Sequence, residues 1–350
     1  MPSAYAQLYI APGSSGITAT LGSLLRPDII LSRMRSNSSL PKAIPPDQEA
    51  QPIPQTVSLL PVYEFMAGNA NFRRALLSDL DDPTKAPSWI GSFLNLASWL
   101  LTNASSTSSA RTMSYASLTL EMILVLVEDE DLIGALSSRS AHNIHLCQQR
   151  QPKLRAAQPN RPLLCDILDC CNLWLRHNLH RRIAVHSYSK CIWICPDRVV
   201  FAVRAKYHWE ELWHSVIGLF SFLATKFDTL MTTGGIGQLV LDGLSFLEAA
   251  IASAETYLPT PSAVHELVYE IVRNSSVLEK QQDILSFLQM SPHDQGALRY
   301  VVDVTSHYEE KISATGANLK DASDAMRIIV REVERDGLYR PANAAEQQPR

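Results

Sequence analysis

Apolar residues recur at spacings of three and four along most of this chain, the mark of helices that each bury one face. The pattern is clearest between Tyr207 and Arg273. There Trp209, Leu212, Trp213, Val216, Phe220, Leu223 and Phe227 form one stripe, and Ile236, Val240, Leu244, Leu247, Ile251 and Ala254 form a second. Gly234-Gly235 separates the two. Pro259 ends the second helix, and Thr260 followed by Pro261 reads as an N-cap with proline at the first helical position. Val264, Leu267, Val268 and Ile271 carry the third face. Helix, glycine break, helix, proline corner, helix is the wiring of stacked helical-repeat layers.

The flanking regions extend this plan. Residues 1–55 combine small polar residues, a stretch at Leu21–Arg35 able to hold a short helix, and Pro41, Pro45, Pro46, Pro52 and Pro54. They read as a largely disordered segment and a proline-rich linker. A helical domain is expected over 56–337, with Leu59, Tyr63, Phe65, Met66, Phe72, Leu76 and Leu77 as its first core candidates. The spacing then predicts a helix over Ser88–Leu101 and one long helix over Ala110–Leu136. Arg139–Pro162 reads as an exposed connection with some helix. An amphipathic helix follows over Leu163–His180, and Pro196 interrupts an apolar run at Ser187–Arg204. Helices over 294–314 and 319–335 close the domain, Gly337 fits a helix C-terminus, and 338–350 reads as a disordered tail. The fold class is all-α, an armadillo/HEAT-like helical-repeat superhelix.

Composition narrows the function. The chain has 350 residues and a net charge of -4, which gives no nucleic-acid footprint. Cys147, Cys165, Cys170, Cys171, Cys191 and Cys195 lie in one third of the chain, several within apolar patterns, and read as reduced, buried thiols. Together with His177, His180 and His186, the last five cysteines are the best metal candidates, but their spacings lack the short Cys-x2-Cys pairing of structural zinc sites. His208, Glu210, Glu211 and His214 miss the spacing of a zincin helix, whose histidines stand four apart, and read as a solvated face. Gly234-Gly235-Ile236-Gly237 lacks the Lys-Ser/Thr of a phosphate loop. The basic run Arg150–Arg161 reads as a solvated loop. Trp89–Leu101 is uncharged but short for a bilayer. No catalytic, metal or cofactor-binding residue is expected. Two rivals stay open: an integral membrane protein using Trp89–Leu101 and Val216–Thr225, and a metal-binding enzyme around Cys165–Cys195.

A family resemblance goes further. Tyr207-His208-Trp209-x-Glu211-Leu212-Trp213, then Tyr257-Leu258-Pro259-Thr260-Pro261-Ser262, then Glu266-Leu267-x-Tyr269-Glu270-Ile271, resemble in order and spacing the C-terminal domain of the armadillo-like helical domain-containing protein 3 family. The chain is similar to a fungal-type member and is short for the family, whose members carry a further N-terminal helical region. The resemblance implies a non-catalytic helical scaffold in the cytosol, peripherally at the Golgi membrane. It implies phosphatidylinositol 4-kinase beta and a Golgi Arf exchange factor as protein partners, and a role in phosphoinositide maintenance and secretory traffic.

Overall fold

Every regular element among the described residues is helical. The computed structural model describes residues 54–78, 88–106, 109–140, 144–158, 160–180, 182–195, 207–291, 294–314 and 322–341. The expectations for residues 1–53, Pro196, Leu319 and 342–350 lie outside them. The chain divides into two compact units, Met1–Asn178 and Leu179–Arg350.

The first unit holds α1 (Leu59–Gly68), α2 (Ala70–Leu77), α3 (Trp89–Asn103), α4 (Ala110–Glu128), α5 (Glu130–Ser138) and α6 (Leu163–His177). A 3-10 turn, Pro54–Ser58, leads into α1, so helical order begins two residues before Thr56. Leu59, Val62 and Met66 are buried at spacings of three and four. Phe65 lies off that stripe and is 61% exposed, against the core role expected of it; its ring meets Phe72 at 5.5 Å.

The long helix expected over Ala110–Leu136 is broken at Asp129, which adopts an extended conformation (φ -89, ψ 111) and starts α5. Its carboxylate accepts the Leu132 N–H at 3.4 Å and pairs with Arg73 at 2.8 Å. Side-chain capping of a fresh helix replaces the lost ladder bonds, which apolar spacing cannot register. α4 is also the one helix among the described residues long and apolar enough to cross a membrane. The two spans weighed from sequence are packed instead: α3 is buried along almost its whole length, and Val216, Ile217, Leu219, Phe220 and Leu223 are all core residues.

α3 is buried against α4 and α6, and the segment expected to be an exposed connection adds polar contacts along it. Residues 144–158 contain no helix and lie as a strap over the polar positions of α3. The His145 N–H donates to Asn95 Oδ1 at 2.7 Å, and the Cys147 N–H to Ser98 Oγ at 2.9 Å. The Arg150 guanidinium donates to the Thr102 carbonyl at 2.7 Å. Buried polar groups need such partners, so the uncharged yet polar sequence of α3 is explained by the strap rather than by lipid.

α6 is buried on nearly every side, not one, and only Arg176 within it escapes. Asp166 and Asp169 are carried inward with it and meet Arg161, itself only 7% exposed and not the solvated residue expected. Arg161 forms ion pairs with Asp166 and, at 2.7 Å, with Asp169. Burial opposes the charge of Arg161, but the two carboxylates outweigh it and hold its pKa above the ordinary value. For Asp166 burial wins over Arg161, and its pKa is raised.

His177, at the end of α6, is buried with no partner for Nε2. Burial first, then Arg150 and Arg176, lower its pKa to about 4 from 6.5. Between those values the unfolded imidazole binds a proton that the folded one refuses, so acid favours unfolding. The first unit should therefore lose roughly 1.4 kcal/mol of stability per pH unit from this group as pH falls through that window. His177→Asn should flatten that slope in urea titrations across the window; an unchanged slope would refute the assignment.

The second unit holds α7 (Val185–Trp193), α8 (Trp209–Leu230), α9 (Ile236–Ala252), the single turn α10 (Ala254–Tyr257), α11 (Pro261–Arg273), α12 (Ser275–Phe287), α13 (Gly296–Ala314) and α14 (Ala322–Asp336). α9 packs between α7 and α13, while α8 packs on α11 and α12. The three predicted stripes are buried throughout except Phe227, which is half-buried and meets Phe287 edge-on at 5.3 Å. Gly235 holds the left-handed φ of 85 that turns the chain between α8 and α9. Gln281, fully buried on α12, donates across to the Phe220 carbonyl at 3.2 Å.

Close approach rather than φ explains Gly243. A Cβ there would stand 2.8 Å from Phe220 Cζ, and the Phe220 ring is fully buried. Gly243→Ala should cost about 1–3 kcal/mol through overpacking, read as a lower urea midpoint. A midpoint at or above that of the native chain would show that the ring yields freely.

The tail expected from residue 338 onward begins with ordered structure. Leu338 is 6% exposed, and its N–H donates to Glu255 Oε1 at 3.0 Å. These are long-range contacts by a stretch with no periodicity, so the sequence pattern is blind to them.

Candidate functional site

Thr260 caps α11, its hydroxyl accepting the Ala263 N–H at 3.2 Å with Pro261 at the first helical position. That corner directs the chain after Tyr257 and Leu258 back toward the start of α8. There the aromatic residues of two sequence pieces meet. Tyr207 and Trp209 lie edge to face at 5.0 Å, Trp209 stacks on Trp213 at 5.8 Å, and Trp209 meets Tyr257 edge-on at 5.3 Å. Phe246 of α9 joins Trp213 at 6.0 Å. Tyr207, Trp209, Trp213 and Tyr257 are each at most 5% exposed. The Tyr257 hydroxyl donates to the Ala250 carbonyl at 3.0 Å, which ties the corner to the end of α9. Offset and edge-to-face rings at these separations add about 0.5–1.5 kcal/mol per pair beyond area burial.

The third piece is joined through polar side chains. Glu270, 7% exposed on α11, faces His214 of α8 at 3.3 Å and Arg273 at 3.5 Å. Leu212 is fully buried, and Glu211, expected on a solvated face, is 8% exposed. His208 precedes α8 without capping it by its side chain. Glu266 stays on its own helix, 3.5 Å from Ser262 Oγ; Tyr269 is half-buried and Pro259 exposed. The structure thus gathers Tyr207, Trp209, Trp213 and Tyr257 into one core and links Glu270 to it through α8. It leaves Thr260, Pro261 and Glu266 as local helix-start residues. Sequence reading missed Phe246 and the tie between His214 and Glu270, because residues so far apart in the chain carry no local signal.

The rings fill space, and the Glu270 carboxylate is engaged by His214 and Arg273. Among the described residues no three His, Cys, Asp or Glu side chains form a metal-binding group, so Cys165, Cys170, Cys171, His177, His180, His186, Cys191 and Cys195 are not gathered into one. All six cysteines are free thiols, and all but Cys147 are buried. Burial pushes the Cys170 thiol well up, away from the thiolate form that reacts.

The family model for the C-terminal region of armadillo-like helical domain-containing protein 3 matches residues 161–337, half of the chain. Armadillo-like helical domain-containing protein 3 of Danio rerio is 32% identical over 39% of this chain and 21% of its own length. The Homo sapiens protein of the same name is 28% identical over 50% of this chain and 27% of its own length. A UPF0588 membrane protein of Schizosaccharomyces pombe is 24% identical over 80% of this chain and 46% of its own length. The chain therefore spans less than half the length of these relatives. No solved structure matches.

Proposed function

Because the chain belongs to the armadillo-like helical domain-containing protein 3 family, we propose that it is a non-catalytic adaptor that works through the outer surface of its helices. One observation carries this reading: Tyr207, Trp209, Trp213 and Tyr257 are spent on holding α8, α9 and α10 together, with Trp213 1% exposed, while Glu270 joins α11 to α8. Helical layers of this kind leave long surfaces on which partner helices or peptides dock.

The partners in this reading are phosphatidylinositol 4-kinase beta and a Golgi Arf exchange factor, with the chain in the cytosol and peripherally at the Golgi membrane. Purified chain mixed with purified kinase should elute as a complex on gel filtration. Separate elution at micromolar concentrations of both would overturn the kinase assignment.

A second reading, an integral membrane protein, draws on α4 and on the printed name of the Schizosaccharomyces pombe relative. Its support is thinner, since Thr112, Ala116, Thr119, Leu120, Met122, Ile123, Leu126 and Val127 of α4 are buried against protein. Alkaline carbonate should release the chain from membranes in the adaptor reading; retention in the pellet would favour the rival.

A further inference from the structure

Directly after α14 the chain turns through Gly337, at φ 76, and lays residues 338–341 against α10 and α13. The way this short stretch is held is that of a bound peptide. Its first two backbone N–H groups are each taken by a side chain from a different element. Leu338 donates to Glu255 Oε1 at 3.0 Å, and Tyr339 donates to the Tyr308 hydroxyl at 3.1 Å. The other carboxylate oxygen of Glu255 takes the Arg340 guanidinium at 3.2 Å. The Tyr339 ring lies flat on His307, 3.9 Å between centroids and 3° from parallel. Leu338 is buried, and so is Pro341. Backbone amides taken by side chains, one buried apolar side chain and one stacked ring are contacts of the kind that hold a short peptide.

Two further observations separate the groove from what fills it. The family match ends at 337, so Glu255, His307 and Tyr308 lie in the matched region and the segment on them does not. The charged part of the fastening is light. Its ion pair is half open to water, with side chains 54% and 42% exposed, and pairs of that kind contribute little to stability. A segment with no helical ladder of its own opens at lower cost than the helices beneath it.

We propose that Glu255, His307 and Tyr308 form a docking groove for a short non-helical segment of a partner protein, carrying leucine, an aromatic residue, a basic residue and proline in that order, and that residues 338–341 occupy the groove in cis. The segment is a self-ligand, and the partner binds by displacing it. This rests on the adaptor reading and names one kind of partner for it. The two fail separately, because kinase co-elution and peptide binding are independent readouts.

The test uses the full chain and a fluorescein-labelled peptide Gly-Leu-Tyr-Arg-Pro. A variant carrying Tyr339→Ala and Arg340→Ala should bind the peptide at least tenfold more tightly than the unmodified chain, by anisotropy. Adding Glu255→Ala to that variant should abolish binding. Equal or absent binding by the released variant, with a native far-ultraviolet spectrum, would overturn the proposal. So would a doubled mass on gel filtration, which would place a second copy in the groove. If the released variant does not fold, hydrogen exchange of the unmodified chain decides: the Leu338 and Tyr339 amides should exchange at least tenfold faster than those of α13. Exchange as slow as α13 would make the segment part of the core and end the proposal.

Discussion

Replacing Trp213 with alanine is expected to remove roughly 3–5 kcal/mol of stability from the C-terminal unit, the usual range for truncating a buried tryptophan. The ring is 1% exposed, and it stacks on Trp209 while touching Phe246. Its indole Nε1 has no hydrogen-bond partner, so the loss is one of packing and cavity formation alone. Trp213→Phe keeps most of the ring and should recover much of the difference. Urea unfolding followed by circular dichroism reads both variants. A midpoint unchanged by the alanine substitution would contradict the packing described for α8 and α9.

The second large effect lies in the N-terminal unit. Arg161→Met should cost about 3–5 kcal/mol, because it removes the guanidinium from two carboxylates inside the protein. Asp166 and Asp169 side chains are 9% and 10% exposed, and that of Arg161 is 7%. Acid should relieve part of the deficit. Burial already raises Asp166 above its ordinary pKa of 3.8 with Arg161 opposing, and without Arg161 the rise is larger. A carboxyl whose folded pKa is raised stabilises the fold below its unfolded pKa and loses that contribution as pH rises through the folded value. The gap between variant and native chain should thus narrow as pH falls toward 3.8. A gap that widens in acid would mean that the pair is not desolvated as described. Replacing all three residues with apolar ones of similar volume should cost far less than the single change.

The helical plan of both units can be read from spacing alone wherever one face is buried and the other is wet. α9 and α11 show this: each expected stripe is buried, and the Thr260–Pro261 start of α11 is capped as its residue types dictate. Three features resist that reading for physical reasons. α6 is buried on both faces, so its two aspartates look like a solvent stripe until Arg161 is placed beside them. The break at Asp129 is capped by its own carboxylate, which Arg73, far off in sequence, also holds. The strap over α3 is held by backbone N–H groups meeting Asn95 and Ser98, and a sequence encodes no partner for a backbone amide. The candidate site divides the same way. Trp209 and Trp213 announce themselves as helix neighbours four apart, whereas the approach of Tyr257, the Phe246 ring and the His214–Glu270 pair exists only in the fold.

The claim on which the functional reading turns is that the separate family pieces are one packed architectural core. A double-mutant cycle between Trp209→Leu and Tyr257→Leu, with unfolding free energies from urea titration, measures it directly. The rings stand 5.3 Å apart, so the cycle should return a coupling of about 0.5–1.5 kcal/mol. Strictly additive losses, with a coupling of zero within error, would show that the two pieces do not support each other and would contradict the account.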